Sequence, residues 1–532
     1  MSRYKVNSKE RKKKSGIIEN EFERILRYLI SGYVMLMLFF YPLYFQNKYY
    51  NMGEAKYFFF KNISLIFFVI LLGVVIVHCF VSKKWKEITD GIKKLSVTDW
   101  FVLAYGAAVW LSFMNTPYKT DAVWGYPGWY MGLISQMIFI GIYFFVSRYL
   151  PIRKWMLHIT CAVSAIVFLL AVLHRFQIDP LQLYEGLSIE NKILFLSTMG
   201  QATWYSSYLC IVFPLGLFLY WNSEKRTERI LYGCYVALGF STMVTQNSDS
   251  AFMAFLFIFC VLFLFSFQSN AKMKRFLESL IIGLLAVRLI GILQILFSAN
   301  VVPLENFSIE ASQGRLTEIL LLSVIIIYLL FSYLTAANKI HIVRWKKVGI
   351  GIVTLGIMII LLFVVCIILN AKGILPSWLM PLQQFEYFTF DDNWGNGRGF
   401  TWRCCTEIFQ EYSLKNKIFG CGPDCFASYA YDKYAETMNA RFGDKVLTNA
   451  HNEWFTSLLF FGVLGFVTYL GIFISQVTAG VGKVLKTPLL LAVIMAIAAY
   501  FSHNFFCYQQ VICTPIIFIL IGIGEHLLRE KQ

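Results

Sequence analysis

The chain has 532 residues, of which 58% are hydrophobic and only 15% are charged. A soluble protein of this length needs a larger polar share to cover its surface, so the composition favours a polytopic membrane protein. The net charge of +16 would also fit nucleic-acid binding, but Lys and Arg lie in short clusters between apolar runs. That placement is typical of loops beside membrane helices, and we therefore expect no nucleic-acid partner.

Apolar runs that could cross a membrane recur along most of the chain. A spanning helix needs about 20 apolar residues, and about fourteen runs meet or approach that length. They lie near residues 27–46, 57–81, 100–114, 131–147, 156–176, 203–221, 230–246, 251–268, 276–298, 317–336, 348–369, 453–476, 487–506 and 510–527. The predicted fold class is all-α: a polytopic integral membrane protein with about 14 transmembrane helices, in a range of about 12 to 14.

Basic residues are concentrated in every second loop, which predicts the orientation of the chain. If the N-terminal KERKKK segment is cytoplasmic, the loops rich in Lys and Arg all fall on the cytoplasmic side, and so do both termini. The predicted regions are a basic cytoplasmic tail at 1–26, about eleven helices across 27–369, one large extracytoplasmic loop at 370–452 and the C-terminal helices at 453–532. The expected location is the cytoplasmic membrane.

The large loop contains most of the polar chemistry of the chain. The stretch NGRGFTWRCCTEIF places Arg398 and Arg403 near Trp402, and FGCGPDCF follows with a turn whose glycines leave the backbone exposed. The pair His451-Asn452 then stands directly before an apolar run. A titratable side chain at the end of a membrane helix is either part of a helix cap or a functional group.

Four of the 12 cysteines also lie in this loop, namely Cys404, Cys405, Cys421 and Cys425. Their spacing is a poor zinc signature, because structural zinc sites usually pair their ligands as CxxC. A disulfide in an oxidising exterior and unpaired thiols both fit the sequence. We expect no metal and no cofactor, since no segment predicted outside the membrane offers a convincing cluster of carboxylate or histidine ligands.

The order of these motifs, GR…W, then GxGP…F, then H-N followed by a GxxG sequence in the next helix, resembles the O-antigen ligase and O-antigen polymerase superfamily of bacterial membrane glycosyltransferases. The tight part of the resemblance runs from Gly397 to Phe466, and the ligase-like region covers residues 240–470 approximately. The family often has a Ser-Arg pair at the outer end of a middle helix, where this chain has QNSDSAF around Asp249. The resemblance implies a metal-independent, inverting glycosyltransferase whose donor is a polyprenyl-diphosphate-linked glycan.

Arginine side chains suit the donor end of that reaction. A departing diphosphate gains negative charge, and a guanidinium group can stabilise it with two parallel hydrogen bonds without the help of a metal. We therefore predict that Arg398 is catalytic. Arg403, Arg315 and Arg175 are predicted to help bind the substrate.

A histidine suits the acceptor end, because the attacking hydroxyl must lose a proton and an imidazole can accept it near neutral pH. His451 is the predicted base, and Asn452 is predicted to orient it or the substrate. Asp249 is a further substrate-binding candidate, although both Asn452 and Asp249 also suit helix-capping roles. Gly462 and Gly465 are predicted to let a neighbouring helix pack closely and so fix the height of His451.

The sequence thus predicts transfer or polymerisation of a polyprenyl-diphosphate-linked glycan onto an acceptor hydroxyl at the outer face of the cytoplasmic membrane. Membrane lipids are expected as further partners. The acceptor could be a glycan, a lipid or a protein, which the motifs do not distinguish. The alternative is a transporter or flippase for lipid-linked glycans, but paired broken helices in corresponding halves are not evident. A second pair, His503-Asn504, lacks the GxxG sequel and is interpreted as structural.

Overall fold

The computed structural model describes residues 21–82, 94–384, 388–443 and 445–529. The regular structure of this part of the chain is helical except for one short antiparallel ribbon, in which Phe195–Leu196 pairs with Gly200–Gln201. The predicted all-α fold class is therefore confirmed. Of the predicted basic tail at 1–26, residues 1–20 lie outside the described residues, as do the lysines of the 83–93 segment.

Fourteen long helices, numbered in chain order, lie in the described residues at the positions of the apolar runs. They are α1 Glu21–Leu43, α2 Met52–Ser82, α3 Val97–Asn115, α4 Leu133–Tyr149, α5 Lys154–Arg175, α6 Ala202–Asn222, α7 Arg226–Thr245, α8 Asp249–Ser266, α9 Asn270–Leu296, α10 Arg315–Ala336, α11 Lys346–Ala371, α12 Glu453–Val481, α13 Leu489–His503 and α14 Thr514–Arg529. Ten of them are long and apolar enough to cross a membrane, and α4 and α13 are shorter apolar helices. This confirms a polytopic membrane protein, while a count of 14 spans stays a prediction.

Shorter helices occupy the connections. They are Lys119–Trp124, Ile189–Leu194, Asn306–Gln313, Trp394–Glu411, Leu414–Phe419 and Phe426–Phe442, with 3-10 turns at Ser298–Asn300, Ile342–Trp345 and Ser377–Gln384. Three of the short α-helices belong to the segment predicted as the large loop, so that segment is largely folded and packs on the bundle.

The centre of the bundle is built from α6 and α13. Both helices are apolar around their whole circumference, which is the pattern of a helix enclosed by other helices, and most of their residues are buried. Helix α13 packs against α6, α8, α12 and α14, and α12 packs in turn along α3. In contrast, α10 and α11 expose most of their apolar side chains, as helices facing lipid do.

Four connections lie at one end of the bundle, where hydrogen bonds link them to one another or to the same helix ends. They are residues 116–132, 176–201, 297–314 and 372–452, and we call this end of the bundle the loop face. At the opposite end, the buried Asp99 accepts hydrogen bonds from the guanidinium groups of Arg148, at 2.8 Å, and Arg529, which joins α3, α4 and α14. The loop face is therefore the place where the predicted site residues can meet.

Candidate functional site

The G-C-G turn of the large loop is inserted into a break in α12. Gly462 has a φ of +65° and interrupts the helix, so the carbonyls of Leu459 and Phe460 lose their usual partners. The N–H groups of Cys421 and Gly422 replace those partners, at 3.0 and 3.1 Å. The two sequence motifs are therefore one interlocked structure, joined through backbone hydrogen bonds.

The break bears on the packing role predicted for the two glycines of α12. A Cβ on Gly462 would lie 2.2 Å from the carbonyl oxygen of Ile418, so the close neighbour is the backbone of a short loop helix. A Cβ on Gly465 would lie 2.0 Å from Cβ of Phe461, within the same helix. Gly462 thus allows both the break and the close approach of the short helix Leu414–Phe419.

His451 lies just before α12 at the loop face, where its partly exposed ring packs edge-on against Tyr508 with centroids 5.3 Å apart. Its backbone has a φ of +49°, and its N–H donates to Oδ1 of Asn449 at 2.9 Å, which fixes this unusual conformation. Surrounding protein and the nearby Arg398 charge lower the pKa of His451 to about 4. The imidazole is therefore neutral at pH 7 and able to accept a proton.

Asn452 forms the N-cap of α12. Its Oδ1 accepts a hydrogen bond from the N–H of Phe455 at 3.0 Å, the arrangement in which an Asn side chain satisfies a free N–H group in the first helical turn. The capping role considered from the sequence is thus present in the structure. The cap fixes the residue at which α12 begins and therefore also the position of His451, which directly precedes Asn452.

Arg398 is held by backbone on two sides. Gly395, Asn396 and Gly397 all have positive φ and form a sharp left-handed turn, which glycine and asparagine tolerate best. The Arg398 guanidinium donates from Nη1 to the carbonyl of Gly395 at 2.8 Å and from Nη2 to the carbonyl of Phe506 at 3.0 Å. The turn thus positions a half-buried cation at the loop face.

Residues 504–510, the first part of the connection between α13 and α14, join the two predicted catalytic side chains. They accept the hydrogen bond from Arg398, and they supply the Tyr508 ring that packs on His451. Glu453, two residues after His451, donates its N–H to the carbonyl of Asn504 at 2.8 Å and accepts the N–H of Gln509 at 2.6 Å. We call residues 504–510 the linking segment.

Sequence reasoning did not assign the linking segment to the site, because apolar runs on both sides favoured two plain membrane helices. The signal that could have identified it is the repeated His-Asn pair at His503 and Asn504.

Glu305 is a second residue that the sequence did not single out. Its N–H donates to Oδ1 of Asn247 at 3.0 Å, which brings it beside the start of α8 and Asp249. Burial and the negative charge of Asp249 raise the pKa of the Glu305 carboxyl, while Arg175 and Arg398 oppose this shift. Glu305 and Asp249 therefore lie near each other at the loop face.

Arg175 is fully buried and its donors are occupied by backbone. The guanidinium donates to the carbonyl of Thr245, to that of Lys192 at 3.1 Å and to that of Ile193 at 2.9 Å. This arrangement anchors the 176–201 connection to α7. All three guanidinium nitrogens of Arg175 donate to backbone and the side chain is fully enclosed, whereas Arg398 is partly exposed, so the geometry favours an anchoring role for Arg175 over the substrate-binding role predicted from the sequence.

The other two predicted arginines lie further from the centre of the site. Arg403 forms a half-exposed ion pair with Asp392 at 2.7 Å. Arg315 is the exposed first residue of α10. Of the four predicted arginines, Arg398 is therefore the one that the structure brings close to His451.

The four loop cysteines are buried and unpaired, which decides between the two alternatives that the sequence left open. Burial raises the pKa of the Cys421 thiol to about 12, so it is neutral at physiological pH. Within the described ranges, no group of three or more His, Cys, Asp or Glu side chains is arranged to hold a metal ion.

Residues 306–470 match the family model described as O-antigen ligase. The match contains Arg398, the G-C-G turn, His451 and the Gly462 break, and it confirms the resemblance inferred from the motifs. Among curated proteins no match was found. The family match supports a role in glycan transfer or polymerisation during polysaccharide biosynthesis.

Proposed function

We propose that this chain, residues 306–470 of which match the family model described as O-antigen ligase, transfers or polymerises a polyprenyl-diphosphate-linked glycan onto an acceptor hydroxyl. One observation carries the proposal: a half-buried guanidinium, Arg398, and a neutral imidazole, His451, are joined through the linking segment at one end of a membrane bundle. A cation for the leaving group and a base for the nucleophile are the two groups that such a transfer requires.

In this reaction the acceptor oxygen attacks the anomeric carbon of the donor sugar. A new carbon–oxygen bond forms, the bond to the diphosphate oxygen breaks, and the diphosphate leaves with the electron pair. The acceptor proton passes to His451. Arg398 stabilises the negative charge that develops on the diphosphate, because its guanidinium remains charged and can donate two parallel hydrogen bonds.

Bound donor would also tune the base. In the free protein the positive charge of Arg398 contributes to the low pKa of His451. A diphosphate beside Arg398 offsets that charge and raises the pKa of His451 toward its ordinary value, which strengthens the base when the donor is in place. Proton transfer is thereby coupled to donor binding.

We infer that the loop face is extracytoplasmic, that both termini are cytoplasmic and that the protein lies in the cytoplasmic membrane. The alternation of basic loops supports this orientation. Acceptors consistent with the chemistry are a second glycan, an envelope lipid or a protein hydroxyl, since each presents the same attacking group. The guanidinium of Arg398 supports catalysis without a metal.

The test uses purified full-length protein in liposomes that contain a fluorescent polyprenyl-diphosphate oligosaccharide, with EDTA present. We expect a longer or transferred glycan and released polyprenyl diphosphate. Movement of unchanged donor between leaflets would instead identify a transporter. Activity that returns only when magnesium or manganese is added would contradict metal independence.

A further inference from the structure

His503, the last residue of α13, has one ring nitrogen that is satisfied and one that is not. The side chain is fully buried. Nδ1 lies 3.3 Å from Oγ of Ser207 and 3.5 Å from Oδ1 of Asn504, whereas Nε2 has no hydrogen-bond partner among the described residues. Buried polar nitrogens are almost always paired in folded proteins, so an unpaired one in the interior indicates a group that binds something else.

The position of His503 relates it directly to the proposed donor site. The carbonyl of His503 accepts the N–H of Phe506 at 3.0 Å, and the carbonyl of Phe506 accepts the hydrogen bond from Arg398 at 3.0 Å. The next residue, Asn504, accepts the N–H of Glu453 at 2.8 Å. His503 therefore lies on a turn that contacts both Arg398 and the segment that carries His451.

One tautomer of His503 makes Nε2 a donor, and its neighbours are compatible with it. Oγ of Ser207 accepts the Nε2–H of Gln510 at 3.0 Å and lies 3.3 Å both from Nδ1 of His503 and from the carbonyl oxygen of Thr203, so the hydroxyl can donate its one proton to Nδ1. In that tautomer Nε2 carries the ring proton and is a donor. The Nε2–H group of His503 and the guanidinium of Arg398 are both donors, so they cannot bond to each other. Both can donate to one anion that lies against them.

We propose that His503 is a second histidine of the donor site, whose Nε2–H group binds an oxygen of the donor diphosphate. This inference rests on the proposed function. It assigns to the repeated His-Asn pair a binding role: Arg398 holds the diphosphate from the side of the large loop and His503 holds it from the side of the bundle. His451 remains the base for the acceptor.

Two substitutions separate this role from a structural one. His503→Asn can keep the contact that Nδ1 makes with Ser207, but it removes the Nε2 group. His503→Gln can place an amide near the position of Nε2. A third variant, Ser207→Ala, removes the Nδ1-side partner and keeps His503. The readouts are inhibition of glycan transfer by inorganic pyrophosphate and the KM values for donor and acceptor. Thermal unfolding in detergent shows whether each variant folds. The control is His158→Asn, because His158 lies near the start of α5, at the end of that helix away from the loop face.

We expect His503→Asn to raise the inhibition constant of pyrophosphate and the donor KM about ten- to a hundred-fold, as for loss of a hydrogen bond to a charged group. His503→Gln and Ser207→Ala should each lose less than His503→Asn, because each keeps a donor near the Nε2 position. His158→Asn should stay within about threefold of wild type, and the acceptor KM should not change. If His503→Asn fails to accumulate, the inhibition constant of pyrophosphate and the donor KM are compared between His503→Gln and Ser207→Ala. A larger rise in His503→Gln supports the inference, and an equal or smaller rise contradicts it.

The inference is overturned if His503→Asn behaves as wild type, if Ser207→Ala is as damaging as His503→Asn, or if asparagine preserves more activity than glutamine. Failure of the proposed function is a separate result, because the wild-type protein itself would then form no transferred glycan.

Discussion

The guanidinium of Arg398 donates a hydrogen bond to the carbonyl of Phe506 at 3.0 Å, and this bond joins the large loop to the connection between the last two helices. A second bond, to Gly395 at 2.8 Å, fixes the plane of the same group. Residues more than a hundred positions apart in the chain thereby define one side of the proposed site. Because the planar fork makes both bonds, geometry as well as charge should matter at this position.

Replacing Arg398 with lysine tests that dependence. Lysine keeps the charge but cannot make the same forked contacts, so the transition-state contact should weaken by about 2–4 kcal/mol, or roughly thirty- to a thousand-fold in transfer rate. Initial rates at saturating acceptor measure the effect. The matched control is Arg441→Lys, because Arg441 is an exposed arginine of the large loop whose guanidinium donates a hydrogen bond to Oδ1 of Asn393 at 3.2 Å. Equal rates for the two variants would mean that Arg398 is an ordinary loop charge.

The acid limb of the pH–rate profile reports His451. Its pKa is about 4 in the folded protein, so the neutral form needed for proton transfer persists as pH falls through 6.5, the value at which an unperturbed histidine becomes charged. We expect kcat/KM, which follows the free enzyme, to decline on the acid side only as pH approaches about 4. Half-maximal activity near pH 6.5 would show that burial and Arg398 do not act on this ring.

Asp424 offers a pH test of stability. Its Oδ2 accepts the N–H groups of Tyr126 at 2.8 Å and Met131 at 2.9 Å, and burial raises its pKa to about 7. The folded carboxyl takes up a proton between about pH 7 and 4, which the unfolded chain does not, so this group makes the protein more stable as pH falls across that window. Above pH 7 it is ionised in both states, and that stabilisation is absent.

Asparagine can accept the same two N–H groups without a buried charge. At pH 8 we expect Asp424→Asn to unfold at or above the wild-type temperature. The variant should not show the gain in stability that the wild-type carboxyl gives as pH falls from 8 to 5. Asp424→Ala should be less stable at both pH values, by about 1–3 kcal/mol for each unpaired N–H group. Thermal unfolding in detergent measures both variants. An asparagine variant that is as unstable as alanine would contradict the account.

Gly462→Ala tests the break in α12. The φ of +65° disfavours any side chain, and the new Cβ would lie 2.2 Å from the carbonyl oxygen of Ile418. We expect loss of folded protein or of activity, because the G-C-G turn could no longer insert. Gly351→Ala in α11 is the control, since a Cβ there meets nothing within 4 Å. Comparable accumulation and activity of the two variants would show that the break is not required.

The sequence predicted the fold well because long apolar runs determine where membrane helices form, and the helices are where the runs are. Ordered motifs led to the prediction that Arg398 and His451 are site residues, and the structure places both at the loop face. The sequence did not predict that α12 breaks at Gly462, because a GxxG sequence in an apolar run also fits regular helix packing. It also could not assign His503, since its relation to Arg398 depends on a hydrogen bond between segments distant in the chain.

The most direct test of the central claim, that His451 accepts the acceptor proton at this site, is the transfer rate of His451→Ala in the liposome assay. Detergent unfolding should show that the variant folds, because the N–H contact with Asn449 is made by the backbone and does not need the ring. We predict no detectable elongated or transferred glycan from a folded variant that still binds the donor. Wild-type rates from His451→Ala would contradict the account.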